Sequence, residues 1–171
     1  TLSGKSYHQH RPGTLQNDID QQFLRYRPLN RAFEYFTESS PASQNDNADV
    51  RRLEPYVHGQ FTESVESPFE GRSHVHWLTG TASTCMVGCV EGICGMRPDL
   101  NGLWVCPAIP SEWKEITMDK VFRGKKLHIT VKNPDGKEGC FKEFYINGKK
   151  ADKPYVPADE MQDENEIILV M

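Results

Sequence analysis

Thr79-Gly80-Thr81 stands directly ahead of Ala82 to Gly95, a run almost without charge. The first amides of a helix lack intrahelical partners and the dipole is positive there, so a threonine hydroxyl and a glycine amide can cradle a phosphate. The same residues also suit a plain N-cap, because threonine oxygens satisfy orphan amides at helix starts. Type and spacing leave both readings open. Arg72, His74 and His76 precede this turn and can line a pocket or support it, while packing and surface roles suit them equally. Trp77 reads as core. Cys85 and Cys89 share a helical face, but the spacing lacks the close pairs of structural zinc sites, so no metal is expected.

The elements that must hold this turn come next. Cys85, Met86, Val87, Cys89, Val90, Ile93 and Cys94 cover most of a helix circumference, and a helix apolar all round is normally buried in a larger body. Asn30 to Glu38 reads as a second helix, capped by Asn30, with Ala32, Phe33 and Phe36 on one side, and it stops at Ser39-Ser40-Pro41. Two helices in all are too few to wrap one that is apolar on all sides, so the chain is expected to be a fragment. The long connection between them is rich in Pro, Asn, Asp and Ser, which marks a binding segment or an overlooked element.

After Gly95 the pattern changes. Leu103–Cys106, Lys120–Phe122, Leu127–Val131, Phe144–Ile146 and Glu166–Val170 are short and β-prone, with turn signals at Asn133-Pro134-Asp135-Gly136 and Asn147-Gly148. Helices followed by strands predict an α+β chain. Residues 1–28 are irregular and unassigned, 29–97 form the helical part with its loops, and 98–171 form an antiparallel β sandwich or jelly roll.

The 171 residues, 37% of them hydrophobic, suffice for a real core. A net charge of −4 gives no general pull towards nucleic acid or anionic membrane. The start holds no apolar signal core, and the apolar run is too short to span a bilayer. The expected setting is the cytoplasm, with the five cysteines reduced.

Asn30-Arg-Ala-Phe-Glu-Tyr-Phe36, Glu54-Pro-Tyr-Val-His-Gly-Gln60, Gly71-Arg-Ser-His-Val-His-Trp-Leu-Thr-Gly-Thr-Ala82, Glu91-Gly-Ile-Cys-Gly-Met-Arg-Pro98, Pro107-Ala-Ile-Pro-Ser-Glu-Trp113 and Phe122-Arg-Gly124 follow in this order. Together they resemble the C-terminal end of the inverting glycoside phosphorylases of glycoside hydrolase family 94, nearest in form to those acting on cellodextrins and cellobiose. The resemblance implies the last helices of an (α/α)6 barrel followed by a jelly-roll-like domain. It further implies phosphorolysis of β-glucosides to α-glucose 1-phosphate, with inversion from a single displacement.

The resemblance also assigns roles. Thr79 and Gly80 fall on the phosphate site and Gln60 on a glutamine that hydrogen-bonds the sugar, with Arg72, His74, His76 and Glu54 as possible support. Its general acid is an aspartate ahead of these residues, so the chain by itself is expected to be inactive. A phosphate-contacting histidine is expected in the first segment, but Thr14 stands near its place while His8 and His10 are displaced; that stretch reads as divergent or out of frame. Phosphate, glucose 1-phosphate and a β-linked gluco-oligosaccharide are the expected partners, with a homodimer in keeping and no organic cofactor. The alternative is a non-catalytic carbohydrate-binding or structural β module.

Overall fold

A computed structural model describes residues 29–137 and 141–171. The readings of His8, His10 and Thr14 lie outside the described residues. Helix α1, Leu29–Ser39, stops where Pro41 forbids continuation, and a 3₁₀ segment, Pro41–Asn47, leads into a single turn, α2, Ala48–Arg51. Two short strands, β1 (Phe61–Thr62) and β2 (Ser73–His74), then pair antiparallel across a long loop. The connection between the helices therefore holds elements of its own.

Helix α3, Thr81–Val87, is shorter than the expected helix, and Gly88–Ile93 continues it as a π-helical turn. The Cys94 amide reaches the Cys89 carbonyl at 2.8 Å, the wider i to i+5 closure of that turn. The expectation of burial all round is corrected: Met86 is 65% and Val87 52% exposed, and α3 has no buried residue. Only the far end is covered, by α1 and by the β core that receives Val90 and Cys94, and Ile93 is buried there. The remaining apolar faces of α3 meet solvent among the described residues.

Gly95 hinges the helical part to the strands. Its φ is +71°, and a Cβ there would sit 2.1 Å from the Cys106 backbone. Its carbonyl accepts the Cys106 amide at 2.9 Å, and the Ile93 carbonyl accepts the Ala108 amide at 2.7 Å. A side chain at residue 95 would break this close approach.

Three strands form one sheet, in the order β3 (Met96–Pro98), β4 (Gly102–Val105), β9 (Tyr155–Pro157). Five form the other, in the order β5 (Glu115–Phe122), β6 (Lys125–Lys132), β10 (Glu164–Val170), β7 (Glu143–Ile146), β8 (Lys149–Ala151). All pairings are antiparallel except β10 against β6, which is parallel, so the expected all-antiparallel arrangement is corrected there. The last strand inserts between β6 and β7, leaving the Asn133–Gly136 turn at the exit of β6 instead of joining a hairpin. Asn147-Gly148 does join one, β7 to β8, with φ +50° and +77° as a type I′ turn requires.

The two sheets share one apolar core. Leu103, Val105 and Val156 from the small sheet meet Leu127, Ile129, Val131, Phe144, Ile167 and Leu169 from the large one. Alternation explains the register: β6 and β10 turn every second side chain into this core. A polar device closes one end, where buried Asn165 donates to the carbonyls of Lys126 and Gln162 while its Oδ1 accepts from Asn147. Among the described residues no helix is long and apolar enough to cross a membrane.

Candidate functional site

Thr79, Gly80 and Thr81 form a local turn. Thr79 Oγ1 accepts the Thr81 amide at 3.1 Å and lies 2.7 Å from Thr81 Oγ1. Gly80 occupies the N-cap position of α3, and no side-chain cap hydrogen bond closes that helix start. The plain-cap reading is thereby narrowed, because the Thr79 oxygen serves the first amide, leaving those of Ala82 and Ser83 without a side-chain cap. Two hydroxyls this close share one hydrogen bond, so one of the pair keeps a proton to donate. Space beside Gly80 is open, since a Cβ there would meet nothing within 4 Å.

The segment just ahead is strained. The Leu78 amide bonds the His76 carbonyl at 2.7 Å around Trp77, whose φ is +66°. That is a γ-turn of the rare positive-φ kind. Val75, β-branched, also sits at φ +54°. Such conformations cost about 1–3 kcal/mol each and persist only where their surroundings impose them. Trp77 is 66% exposed, which corrects its expected place in the core.

Glu54 is the group that meets this segment. The Trp77 indole Nε1–H donates to Glu54 Oε1 at 3.3 Å, and His76 Nδ1 lies 3.9 Å from Glu54 Oε2. The Glu54 backbone amide, then the indole, hold this carboxyl below its usual range. Both effects favour its ionised form. Tyr56 packs its ring edgewise on Trp77, centroids 6.1 Å apart, and also lines a cleft of about 440 Å³ with Ser40, Pro41, Ala42, Pro55 and His58.

Gln60 is tied to the same region from the other side. Its amide donates to the His74 carbonyl at 2.9 Å, and its side chain is exposed at the start of β1. His74 stacks on Phe61, centroids 4.8 Å apart. Its Nε2 stands 3.0 Å from Glu63 Oε1, close enough for an ion pair but not aligned as a hydrogen bond. Arg72 lies over the Phe69 ring at 5.7 Å. His76 Nε2 lies 3.3 Å from the Ser73 carbonyl.

The arrangement thus brings Glu54, His76 and Trp77 together, joins Gln60 to His74 through the backbone, and keeps the hydrogen bonds of Thr79 within its own turn. Sequence reasoning passed over Tyr56 and Arg51. Arg51 is 7% exposed, and its Nη2 reaches the Val57 carbonyl at 3.5 Å, bracing the loop that carries Glu54. A basic residue beside Leu53 gave no signal of that burial. Arg123 donates to the carbonyls of Asp99 and Leu100, as a brace of the β body would. Among the described residues no group of three His, Cys, Asp or Glu is placed to hold a metal ion.

The segment from residue 28 to 95, which holds every one of these candidate groups, matches the catalytic domain of the glycosyl hydrolase 94 superfamily. The chain belongs to that family. It is 30% identical over 141 residues to N,N'-diacetylchitobiose phosphorylase of Vibrio furnissii, covering 82% of this chain and 17% of that enzyme. Solabiose phosphorylase of Paenibacillus borealis is 27% identical over 71% of this chain and 16% of its own length. Cellobionic acid phosphorylase of Neurospora crassa is 32% identical over 63% of this chain and 12% of its own length. The chain therefore spans under a fifth of these relatives.

Proposed function

We propose that the protein carrying this chain is an inverting glycoside phosphorylase and that these residues supply the phosphate side of its site. The uncapped start of α3 supports this reading, since it sets the Thr79 hydroxyl beside open space at Gly80. Phosphate oxygens accept hydrogen bonds, and the turn offers donors in a fixed place. Positioning the phosphate for in-line attack at the anomeric carbon makes an encounter into an oriented step, an effect worth up to about 7–11 kcal/mol in favourable cases. Gln60 orients the sugar from the neighbouring loop, with Arg72, His74 and His76 as support.

The saccharide is a β-linked gluco-oligosaccharide in this proposal, with cellobiose and cellodextrins the first to try, and the product is α-glucose 1-phosphate. The named relatives act on three different saccharides, so the phosphate turn belongs to the common part of the reaction and the leaving sugar is chosen elsewhere. The same reading takes residues 29–97 as the helical end of the barrel, 98–171 as the β domain, a cytoplasmic setting and a homodimer. Protonation of the leaving oxygen needs an acid, and in this reading the acid is an aspartate ahead of these residues. The 171-residue chain by itself is accordingly expected to release no glucose 1-phosphate from cellodextrins.

Steady-state kinetics of the full-length enzyme test the assignment. Thr79→Ala should raise the phosphate KM or lower kcat/KM for phosphate by about 10²-fold or more, as loss of a donor to the reacting anion does. Unchanged phosphate dependence would sink the phosphate assignment.

A further inference from the structure

We infer that Glu54 is a positioning residue for the phosphate turn: by accepting the Trp77 indole proton it holds the γ-turn at His76–Leu78, and so fixes where Thr79 and Gly80 stand. The inference rests on the phosphate reading above and adds a residue that acts through another. The strained turn ends one residue ahead of Thr79, and backbone in such a conformation relaxes unless something outside it holds it. Two groups hold it from outside. The indole is tethered to Glu54, 23 residues earlier in the chain, and the Tyr56 ring closes on the same indole. The loop bearing both is itself anchored, by the guanidinium of buried Arg51 on the Val57 carbonyl and by the Val57 amide on the Glu54 carbonyl at 3.1 Å.

On its far side the same segment is fixed by the β1–β2 pairing, through which the Gln60 amide meets the His74 carbonyl. Residues 54–60 thus grip residues 74–77 at two points, one at each end. The consequence is a mechanical link between the loop that presents Gln60 and the turn that presents Thr79. Losing the Glu54 end frees the γ-turn while leaving the Gln60 end in place. Phosphate binding should therefore suffer more than sugar binding.

The experiment is a kinetic comparison in the full-length enzyme, varying phosphate and saccharide separately. Glu54→Ala is expected to raise the phosphate KM about tenfold while the saccharide KM stays within about twofold. Glu54→Gln keeps an oxygen acceptor for the indole and should stay within about threefold of the parent in phosphate KM. Trp77→Phe keeps the ring, removes the donor and should reproduce Glu54→Ala, and the double variant should be no worse than either alone, as expected for two partners in one interaction. If Glu54→Ala does not fold, Trp77→Phe carries the test.

Unchanged phosphate KM in Glu54→Ala and Trp77→Phe overturns the inference, as do additive losses in the double variant. A Glu54→Gln as damaging as Glu54→Ala also overturns it, because charge near His76 would then be the cause. Thr79→Ala separates the two levels. If it too leaves phosphate dependence intact, the phosphate reading falls together with this one; if it raises the phosphate KM while Glu54→Ala does not, only the positioning role falls.

Discussion

Thr79 is one of two hydroxyls 2.7 Å apart, which share one hydrogen bond and so keep one proton to give between them. The sequence motif names the threonine, but the distance of 3.1 Å to the Thr81 amide is what orients its lone pair inward. Glu54 shows the opposite case: nothing in the spacing of 23 residues announces its bond to Trp77. Asp99 is a further example. Its Oδ1 accepts from the amides of Asn101 and Gly102 and from the Tyr155 hydroxyl, and Oδ2 accepts from the Trp104 indole. Burial acts to raise its pKa, but these donors outweigh burial and hold it below the usual aspartate range. A depressed carboxylate contributes stability that is present above the unfolded-state pKa and lost as pH falls through the lower folded value. Asp99→Asn should cost about 1 kcal/mol at neutral pH, because its amide turns a donor towards a donor and the site is well exposed to solvent. Thermal unfolding between pH 6 and about 2 checks it: the parent should lose stability more steeply on acidification below about pH 4 than the variant.

At the scale of elements, glycines separate turns that need only a dihedral from joints that also need space. A methyl group added at Gly148, where φ is +77°, would meet nothing within 4 Å, whereas Gly95 at φ +71° would press a Cβ onto the Cys106 backbone at 2.1 Å. Gly148→Ala is therefore expected to cost about 1–2 kcal/mol, the left-handed penalty alone. Gly95→Ala should cost about 3 kcal/mol or more, because strain is joined by a clash that separates the π-turn from β4. Urea titration of the two variants side by side checks the order. The Asn-Gly signal is legible because a type I′ turn depends on two adjacent residues. Strands β3, β8 and β9 are not, since three residues containing Pro98, Lys149 with Lys150, or Pro157 carry little β preference. Asn133–Gly136 is legible as a turn, yet no local feature says that β10 will slide between the strands on either side of it.

Over the whole molecule, stability and chemistry lie in different places. The β body closes on Phe144, Leu103, Ile129 and Ile167, each no more than 1% exposed. Phe144→Ala should cost about 3–5 kcal/mol, measured by chemical unfolding, because the cavity opens between two sheets that share one core. The candidate site lies instead on loops and on α3, whose Met86 and Val87 stand in solvent. Apolar periodicity marks these residues as burial-prone. Whether they are covered depends on what packs there, and the described elements cover only the Ile93 end.

The sequence by itself determined the family-bearing motifs, the change from helix to strand near Gly95, the five longer strands, and the Thr79-Gly80 turn. Each of these is written in neighbouring residues, through periodicity, turn chemistry and motif order. Only the tertiary structure decided the parallel entry of β10, the exposure of Trp77, the burial of Arg51, and the contact of Glu54 with the strained turn. These depend on residues distant in the chain meeting in space, which local side-chain preferences do not encode.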